Sequence, residues 1–278
     1  MFYESTRGGL KSVASAEAIK MGIAPDGGLF VPETRVKLTL EQIGQMVGMS
    51  YQERAKAILG YYIDDYTEEE IHDAVYSAYN GQKFDCREIA PVRRLNDNIS
   101  ILELWHGPTC AFKDMALQML PHLLVKAVRK TGETSEIVIL VATSGDTGKA
   151  ALEGFKDVDG TRIIVFYPKN GVSEIQELQM ITQEGKNVNT IAVEGNFDDA
   201  QTGVKQLFTD KELALEMEEK GYKFSSANSI NWGRLVPQIV YYFSAYADMV
   251  GSGEIKLGDK INFVVPTGNF GNILAAYY

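Results

Sequence analysis

The chain has 278 residues, of which 45% are hydrophobic and 23% charged, a composition typical of a globular protein with room for about two domains. Its net charge of −10 argues against nucleic acid as a partner, because phosphate backbones bind basic surfaces. Two cysteines are too few for a disulfide framework, no zinc-type spacing is present, and no apolar run approaches membrane-spanning length.

The first ninety residues predict a helix-rich N-terminal domain, residues 1–90. The N-terminus lacks the charged-then-apolar layout of a signal peptide, so we expect a cytoplasmic protein. Helical periodicity runs over residues 39–48 and 51–62. A third helix is predicted to begin after Thr67, which has the position of an N-cap followed by acidic residues, and to run to about Tyr79.

From residue 92 onward, valine- and isoleucine-rich segments alternate with helix-like segments, which predicts an α/β fold with βαβ units and largely parallel sheets. The predicted strands are residues 99–104, 137–141, 162–167, 188–193, 222–226 and 261–265. The predicted helices are residues 111–130, 149–156, 173–183 and 233–250, with one or two helices over 197–221 and another beginning at 272. We therefore expect a second domain at 91–278 that contains a smaller α/β subdomain at about 134–250. Ligands of such sheets bind beyond the carboxyl ends of the strands.

A lysine lies at the junction between the predicted buried strand 99–104 and the predicted helix 111–130. Lys113 follows the break Gly107-Pro108 and precedes a helix that is apolar nearly all round, so its amine is expected to be partly buried. Burial and the positive end of the helix dipole both favour the neutral form and would lower its pKa. Such an amine is nucleophilic and forms Schiff bases with carbonyls. The alternative is a snorkelling lysine paired with Asp114 or another carboxylate.

The segment His106-Gly107-Pro108-Thr109, followed by Phe112-Lys113-Asp114, resembles the lysine-bearing segment of threonine synthases. The pattern is specific, although Cys110 stands where leucine is often found. The resemblance implies the tryptophan-synthase-β-like fold (fold type II), with pyridoxal 5′-phosphate (PLP) bound as a Schiff base on Lys113. Ser5-Thr6-Arg7 and residues 24–32 are similar to the amino-terminal segments of the same family.

The turn Thr143-Ser144-Gly145-Asp146-Thr147-Gly148 follows a predicted strand and opens a predicted helix. Its glycines and hydroxyls could gather hydrogen-bond donors around an anion, or could simply form a tight turn. It is not a nucleotide P-loop, because the leading glycine is replaced by Thr143 and Lys149 is followed by alanine. It resembles the loop that binds the substrate α-carboxylate in this class of enzymes, which implies substrate contacts for Thr143, Ser144 and Thr147 and a cofactor contact for Asp146.

Two further turns have similar counterparts in the family. Asn228–Arg234 resembles the segment that binds the substrate phosphate, which implies roles for Ser229, Asn231 and Arg234. Arginine suits phosphate because its planar guanidinium donates two parallel hydrogen bonds. The glycine-rich turn near the end of the chain is similar to the loop that holds the phosphate of the cofactor, which implies contacts from Gly268, Asn269, Phe270, Gly271 and Asn272.

The resemblance covers the whole chain and implies a PLP-dependent lyase of threonine biosynthesis, threonine synthase. Such an enzyme converts O-phospho-L-homoserine and water to L-threonine and phosphate by γ-elimination and β-addition, with Lys113 moving protons and PLP as the electron sink. Family members continue beyond the counterpart of Tyr278, so the C-terminal part of the large domain, including the partner of the pyridine nitrogen, is expected to be missing.

Two alternatives remain open from the sequence. The chain could be another enzyme of the class, such as a threonine or serine dehydratase or a cysteine synthase, which would not require the Arg234 phosphate site. It could also be an inactive, truncated fragment of the enzyme that binds the cofactor weakly or not at all. The sequence predicts neither the oligomeric state nor allosteric regulation.

Overall fold

The computed structural model describes residues 1–278, which form nine strands and twelve helices. The N-terminal region begins with a small antiparallel sheet of β1 (Phe2–Ser5), β2 (Val13–Ala14) and β3 (Phe30–Pro32), in the order β2-β1-β3. Helix α1 (Ser15–Met21) lies between β2 and β3. The predicted helix-rich region therefore also contains a sheet, whose strands of two to four residues are too short to show a strand period in the sequence.

Three helices follow the sheet: α2 (Leu40–Gln45), α3 (Tyr51–Tyr62) and α4 (Glu68–Ala78). Each begins with a capping box in which the N-cap hydroxyl accepts a backbone N–H and the third helical residue bonds back to the N-cap backbone. The N-caps are Thr39, Ser50 and Thr67. The helices predicted in this region and the N-cap role of Thr67 are confirmed.

The predicted buried strand 99–104 is wrong in its burial and its length. Residues 100–102 form a short strand, β5 (Ser100–Leu102), which pairs only with β4 (Val92–Arg94) in an antiparallel hairpin. Ile101 is 40% exposed, because a two-stranded hairpin has no second layer to cover both of its faces. The lysine therefore follows an exposed hairpin and not a core strand.

The predicted helix 111–130 is divided into α5 (Asp114–Leu117) and α6 (Leu120–Lys130). Pro121 lies in the first turn of α6, where its missing N–H costs nothing. Inside a continuous helix its ring would clash with the carbonyl of residue 117, so the chain ends one helix and begins another. The predicted burial is confirmed, since all four residues of α5 are buried.

The α/β region contains a fully parallel four-stranded sheet in the order β8-β7-β6-β9. Its strands are β6 (Glu136–Ala142), β7 (Thr161–Pro168), β8 (Val188–Val193) and β9 (Tyr222–Ser226). Its helices are α7 (Asp146–Phe155), α8 (Glu174–Ile181), α9 (Phe197–Thr209) and α10 (Lys211–Glu219). The predicted alternation and the parallel pairing are confirmed. The sheet places the turns after β6 and β9 side by side at its carboxyl edge.

The last part of the chain contains the long helix α11 (Trp232–Gly251) and the short helix α12 (Gly271–Tyr277). The predicted strand 261–265 is not formed, and Val264 is 94% exposed. A strand requires a neighbour with free backbone groups, whereas this segment packs against side chains. The Phe263 ring meets that of Tyr242 in α11 edge-on at 4.9 Å, and Val265 packs against the core.

One hydrophobic core of 51 buried residues joins the N-terminal helices, α5, α6, α7 and α11, and a second small cluster lies under α9. The first core draws residues from both sides of position 90, and the second is confined to residues 138–204. The division into domains 1–90 and 91–278, with a subdomain at about 134–250, stays a prediction. None of the helices is both long and apolar enough to cross a membrane.

Candidate active site

A buried carboxylate shapes the loop that carries Lys113. Asp114 is fully buried and accepts hydrogen bonds from the backbone N–H and the hydroxyl of Thr109, both at 2.8 Å. Gly107 packs so closely on Asp114 that an added Cβ would lie 2.5 Å from the Asp114 Cβ. Cys110, between them, adopts a left-handed conformation with φ of 55°. Most residues of the motif around Lys113 therefore serve to fold this loop. The spacing of the motif in the sequence did not indicate this structural role.

His106 closes the other side of this loop. Its Nδ1 lies 2.7 Å from a carboxylate oxygen of Asp85, and its Nε2 lies 2.9 Å from one of Glu103. Burial alone would lower the pKa of His106, but the two carboxylates together raise it. The ring is therefore engaged on both nitrogens and has a structural role.

Lys113 lies at the N-cap position of α5, with 22% of its side-chain surface exposed. Its Nζ lies 4.2 Å from the centroid of the Phe112 ring and 3.8 Å from the carboxylate of Asp146. Burial is the largest effect on the pKa of Lys113 and lowers it, while the Asp146 charge raises it. The nearby cations Arg234 and Lys149 lower it further. The amine is thus a partly desolvated nucleophile.

The turn after β6 presents free donors next to this amine. The buried hydroxyl of Thr143 accepts the N–H groups of Gly145 and Gly148 and so shapes the turn, whereas Ser144 is exposed. The backbone N–H groups of Asp146 and Thr147, at the start of α7, have no acceptor within the chain. Unpaired N–H groups at a helix N-terminus suit a carboxylate or another anion.

The first turn of α11, which follows the turn after β9, supplies a buried cation. Arg234 is 5% exposed, and its guanidinium donates to the carbonyl of Ala227 at 2.8 Å and to the hydroxyl of Thr147 at 3.3 Å. No carboxylate lies within 4.0 Å of it, and its Nε has no hydrogen-bond partner. Burial lowers the pKa of Arg234 to about 10. A buried guanidinium without a counter-charge is costly, which favours an anionic ligand at this place.

Asn231, predicted to contact substrate, has its side chain fully occupied inside the chain. It caps α11 by accepting the N–H of Gly233 at 2.8 Å, and its amide donates to the carbonyls of Ile19 and Ser226. Asn231 is 1% exposed, so the structure places it behind the site, where it positions the start of α11. Its contact with substrate stays a prediction.

The last turn lies against the turn after β9. An added Cβ on Gly271 would lie 2.9 Å from the Cβ of Ser229, so the two segments touch. The hydroxyls of Tyr241 and Tyr242 both donate to the side-chain oxygen of Asn272, the second at 2.6 Å. The residues from Gly268 to Phe270 are exposed, and their N–H groups have no acceptor within the chain.

The structure therefore brings together all four predicted segments. Lys113 lies beside Asp146, Arg234 beside Thr147, and Ser229 beside Gly271. Sequence reasoning missed two side chains of the site, Lys149 and Gln176. The pairing of Lys149 with Asp146 follows from their spacing of three residues on a helix, whereas Gln176 showed only the pattern of a helix cap.

Comparisons with known proteins agree with this geometry. The family model described as "Threonine synthase N terminus" matches residues 2–79. Threonine synthase from Pseudomonas aeruginosa is 42% identical over 100% of this chain and 56% of its own length. Human threonine synthase-like 1 is 44% identical over 95% of this chain and 36% of its own length.

Solved structures give the same result. The crystal structure of PLP-bound threonine synthase from Brucella melitensis superposes with a TM-score of 0.87 at 38% identity, over 100% of this chain and 57% of that one. The Escherichia coli threonine synthase has a TM-score of 0.80 at 30% identity, over 100% of this chain and 60% of that one.

A parallel sheet with a desolvated lysine and glycine-containing turns beyond its carboxyl edge defines the class, the tryptophan-synthase-β-like proteins of fold type II. Within this class the chain belongs to the threonine synthase family. The chain spans little more than half the length of the bacterial and yeast threonine synthases it matches.

Proposed function

We propose that this chain binds PLP through Lys113 and takes part in the conversion of O-phospho-L-homoserine and water to L-threonine and phosphate. The observation that carries the proposal is Arg234, a buried guanidinium without a carboxylate partner that lies beside the same turn as Lys113. A phosphorylated substrate supplies an anion for Arg234 in addition to its α-carboxylate, whereas serine and O-acetylserine have only the α-carboxylate.

The residues of the site fit the cofactor. Lys113 is a partly buried amine with a lowered pKa, as covalent attachment to an aldehyde requires. The free N–H groups of the turn at 268–272 suit a phosphate, and Asn272 holds that turn to α11 through two tyrosines. The Brucella relative is described as PLP-bound, which supports the same cofactor here.

When bound, PLP would supply an electron sink that stabilises negative charge next to the substrate nitrogen. The residues of the chain would then bind and orient the substrate. The N–H groups of Asp146 and Thr147, with the hydroxyls of Ser144 and Thr147, would hold its carboxylate. Arg234 and Ser229 would hold its phosphate. Lys113 Nζ, whose lowered pKa keeps part of it neutral, would accept and return protons.

The cofactor assignment is tested by adding PLP to the purified chain, reducing with borohydride and locating the modified lysine by peptide mass spectrometry. We expect the label on Lys113 and its loss in Lys113→Ala. Lys83→Ala is a matched control, because burial also lowers the pKa of Lys83, which lies outside the site. A label that persists in Lys113→Ala, or that follows Lys83, would show the assignment to be wrong.

The substrate assignment is tested by offering O-phospho-L-homoserine, L-serine and O-acetyl-L-serine to the PLP-loaded protein. We expect binding, seen as a change in the cofactor absorbance, to be tightest for O-phospho-L-homoserine, with release of phosphate from that substrate and no product formed from the other two. Equal binding of the three amino acids would favour another enzyme of the class.

A further inference from the structure

Lys149 is a second lysine of the site to which neither the fold nor the family comparison gives a role. It lies in the first turn of α7 and is 8% exposed. Its Nζ donates to the carbonyl of Thr109 at 3.0 Å, and Thr109 belongs to the loop that carries Lys113. The same Nζ lies 3.4 Å from the carboxylate of Asp146. One buried ammonium thus joins the lysine loop to the turn after β6.

Asp146 is shared between the two lysines. Its Oδ1 accepts a hydrogen bond from Gln176 at 2.8 Å and faces Lys149, while its Oδ2 lies 3.8 Å from Lys113. That last distance is too long for a hydrogen bond. Gln176 is itself fixed by the capping box of α8, in which its side chain accepts the N–H of Ser173. The carboxylate is therefore anchored on the side away from Lys113.

We propose that Lys149 is a positioning residue that ties the Lys113 loop to the turn after β6 and, with Gln176, holds Asp146 at 3.8 Å from Lys113, beyond hydrogen-bond distance. The inference deepens the proposed function, because it rests on Lys113 being the cofactor lysine. Its chemical consequence is that the Lys113 amine stays available as a neutral nucleophile.

The charges around Lys113 agree with this role. Apart from burial, the charged groups that act on its pKa are Asp146, which raises it, and Arg234 and Lys149, which lower it. Removing the charge of Lys149 deletes one of the two cations and leaves only Gln176 to hold Asp146 away from Lys113. Both changes raise the pKa of Lys113, so a smaller fraction of the amine is neutral near pH 8.

The test measures the amine without PLP. The purified chain is pulsed with trinitrobenzenesulfonate between about pH 6 and 11, and modification of Lys113 is quantified by peptide mass spectrometry against the exposed Lys211. In Lys149→Met we expect the midpoint of Lys113 reactivity to move to higher pH, with roughly 3- to 10-fold less reaction near pH 8, the size of effect expected from one charge a few ångströms away. Lys149→Arg keeps the charge and should recover most of the reactivity.

The outcomes divide clearly. A folded Lys149→Met chain, judged by circular dichroism, with an unchanged midpoint overturns the proposal, and so does a midpoint raised equally in Lys149→Arg. If Lys149→Met does not fold, Gln176→Leu gives the same measurement, because it removes the other group that holds Oδ1 of Asp146. A raised midpoint in Gln176→Leu supports the proposal and an unchanged one overturns it.

Failure of the proposed function would look different. If PLP and borohydride leave Lys113 unmodified in the wild-type chain, Lys113 is not the cofactor lysine, whatever the midpoint measured without PLP. If PLP modifies Lys113 but the pH midpoint of Lys113 reactivity does not depend on residue 149, the cofactor assignment stands and the proposed role of Lys149 is wrong.

Discussion

Arg234 donates a hydrogen bond to the hydroxyl of Thr147 at 3.3 Å and so joins two turns 87 positions apart in the chain. The hydroxyl is a neutral partner and leaves the charge of the guanidinium uncompensated. A second buried arginine, Arg54, is 4% exposed but is paired with Asp248 at 2.6 Å and with Ser244. The two arginines are equally buried, but Arg54 has a carboxylate partner and Arg234 has none.

This difference predicts opposite effects of replacing each arginine by methionine. Arg234→Met should weaken the binding of inorganic phosphate by about 100-fold, or about 3 kcal/mol, because charge-assisted hydrogen bonds are lost. It should leave the free energy of unfolding unchanged or raise it, since a buried unpaired charge is removed. Calorimetric titration with phosphate and urea denaturation measure the two quantities.

Arg54→Met is the control and should show the reverse pattern. It leaves Asp248 without its partner and should lower the free energy of unfolding by about 3 kcal/mol, with phosphate binding unaffected. If Arg234→Met destabilises the chain as much as Arg54→Met does, Arg234 is a structural residue and the anion site is misassigned.

Asp114 is predicted to support the lysine loop. Asp114→Ala removes the acceptor of two buried donors of Thr109 and should lower the free energy of unfolding by about 2–4 kcal/mol. The loosened loop should also weaken PLP binding. Thr109→Ser keeps both donors and should stay close to wild type in urea denaturation and in PLP titration. Equal losses in both variants would rule out the carboxylate as the element that holds the loop.

His122 is predicted to make stability depend on pH. Burial, aided by the charges of Lys83 and Lys126, lowers the pKa of His122 from 6.5 to about 4. Because the folded value lies below the unfolded one, the contribution of this histidine is complete above about pH 6.5 and is lost as the pH falls towards and through about 4. The loss amounts to about 3 kcal/mol from the two pKa values. The melting temperature of His122→Gln should therefore fall less steeply than that of the wild type as the pH is lowered over this range. Parallel curves of melting temperature against pH for the two proteins would contradict the prediction.

Gly145 is predicted to tolerate no side chain. Its φ is +143°, and an added Cβ would lie 2.3 Å from the side-chain oxygen of Gln176. Gly145→Ala should cost about 2–4 kcal/mol of stability and displace Gln176 from Asp146. Gly203→Ala is the matched control, because Gly203 lies within α9 with no atom within 4 Å of the added Cβ, and it should stabilise the chain by about 0.5–1 kcal/mol. Chemical denaturation of both variants gives the comparison.

Much of the fold follows from local sequence signals. The valine-rich strands β6 and β7, and the N-cap Thr67, could be predicted because period, turn residues and caps act within a few positions. The strand predicted at residues 261–265 is absent because its formation depends on a distant partner that an apolar run does not specify. The exposure of the strand Ser100–Leu102 was missed for a similar reason, because the burial of a strand depends on which distant elements cover it.

The site shows the same division. Lys113 could be singled out by its place before an apolar helix, and the turn after β6 by its glycines and hydroxyls. The role of Asp114 in closing the loop could not be predicted. A carboxylate next to a lysine is normally interpreted as its counter-ion, and only the structure shows that Asp114 bonds to Thr109 instead. Asn231 likewise has the character of a ligand-binding residue in the sequence, whereas its contacts are those of a helix cap.

Helix α11 carries Arg234 in its first turn and, two turns later, the tyrosines that hold Asn272. Seven helical residues span about 10 Å, so one helix sets the spacing between the two groups proposed to bind the substrate phosphate and the cofactor phosphate. A displacement of the lysine loop or of the parallel sheet would leave that separation unchanged. The helix thus sets how far the phosphate of a bound substrate would lie from the phosphate of the cofactor.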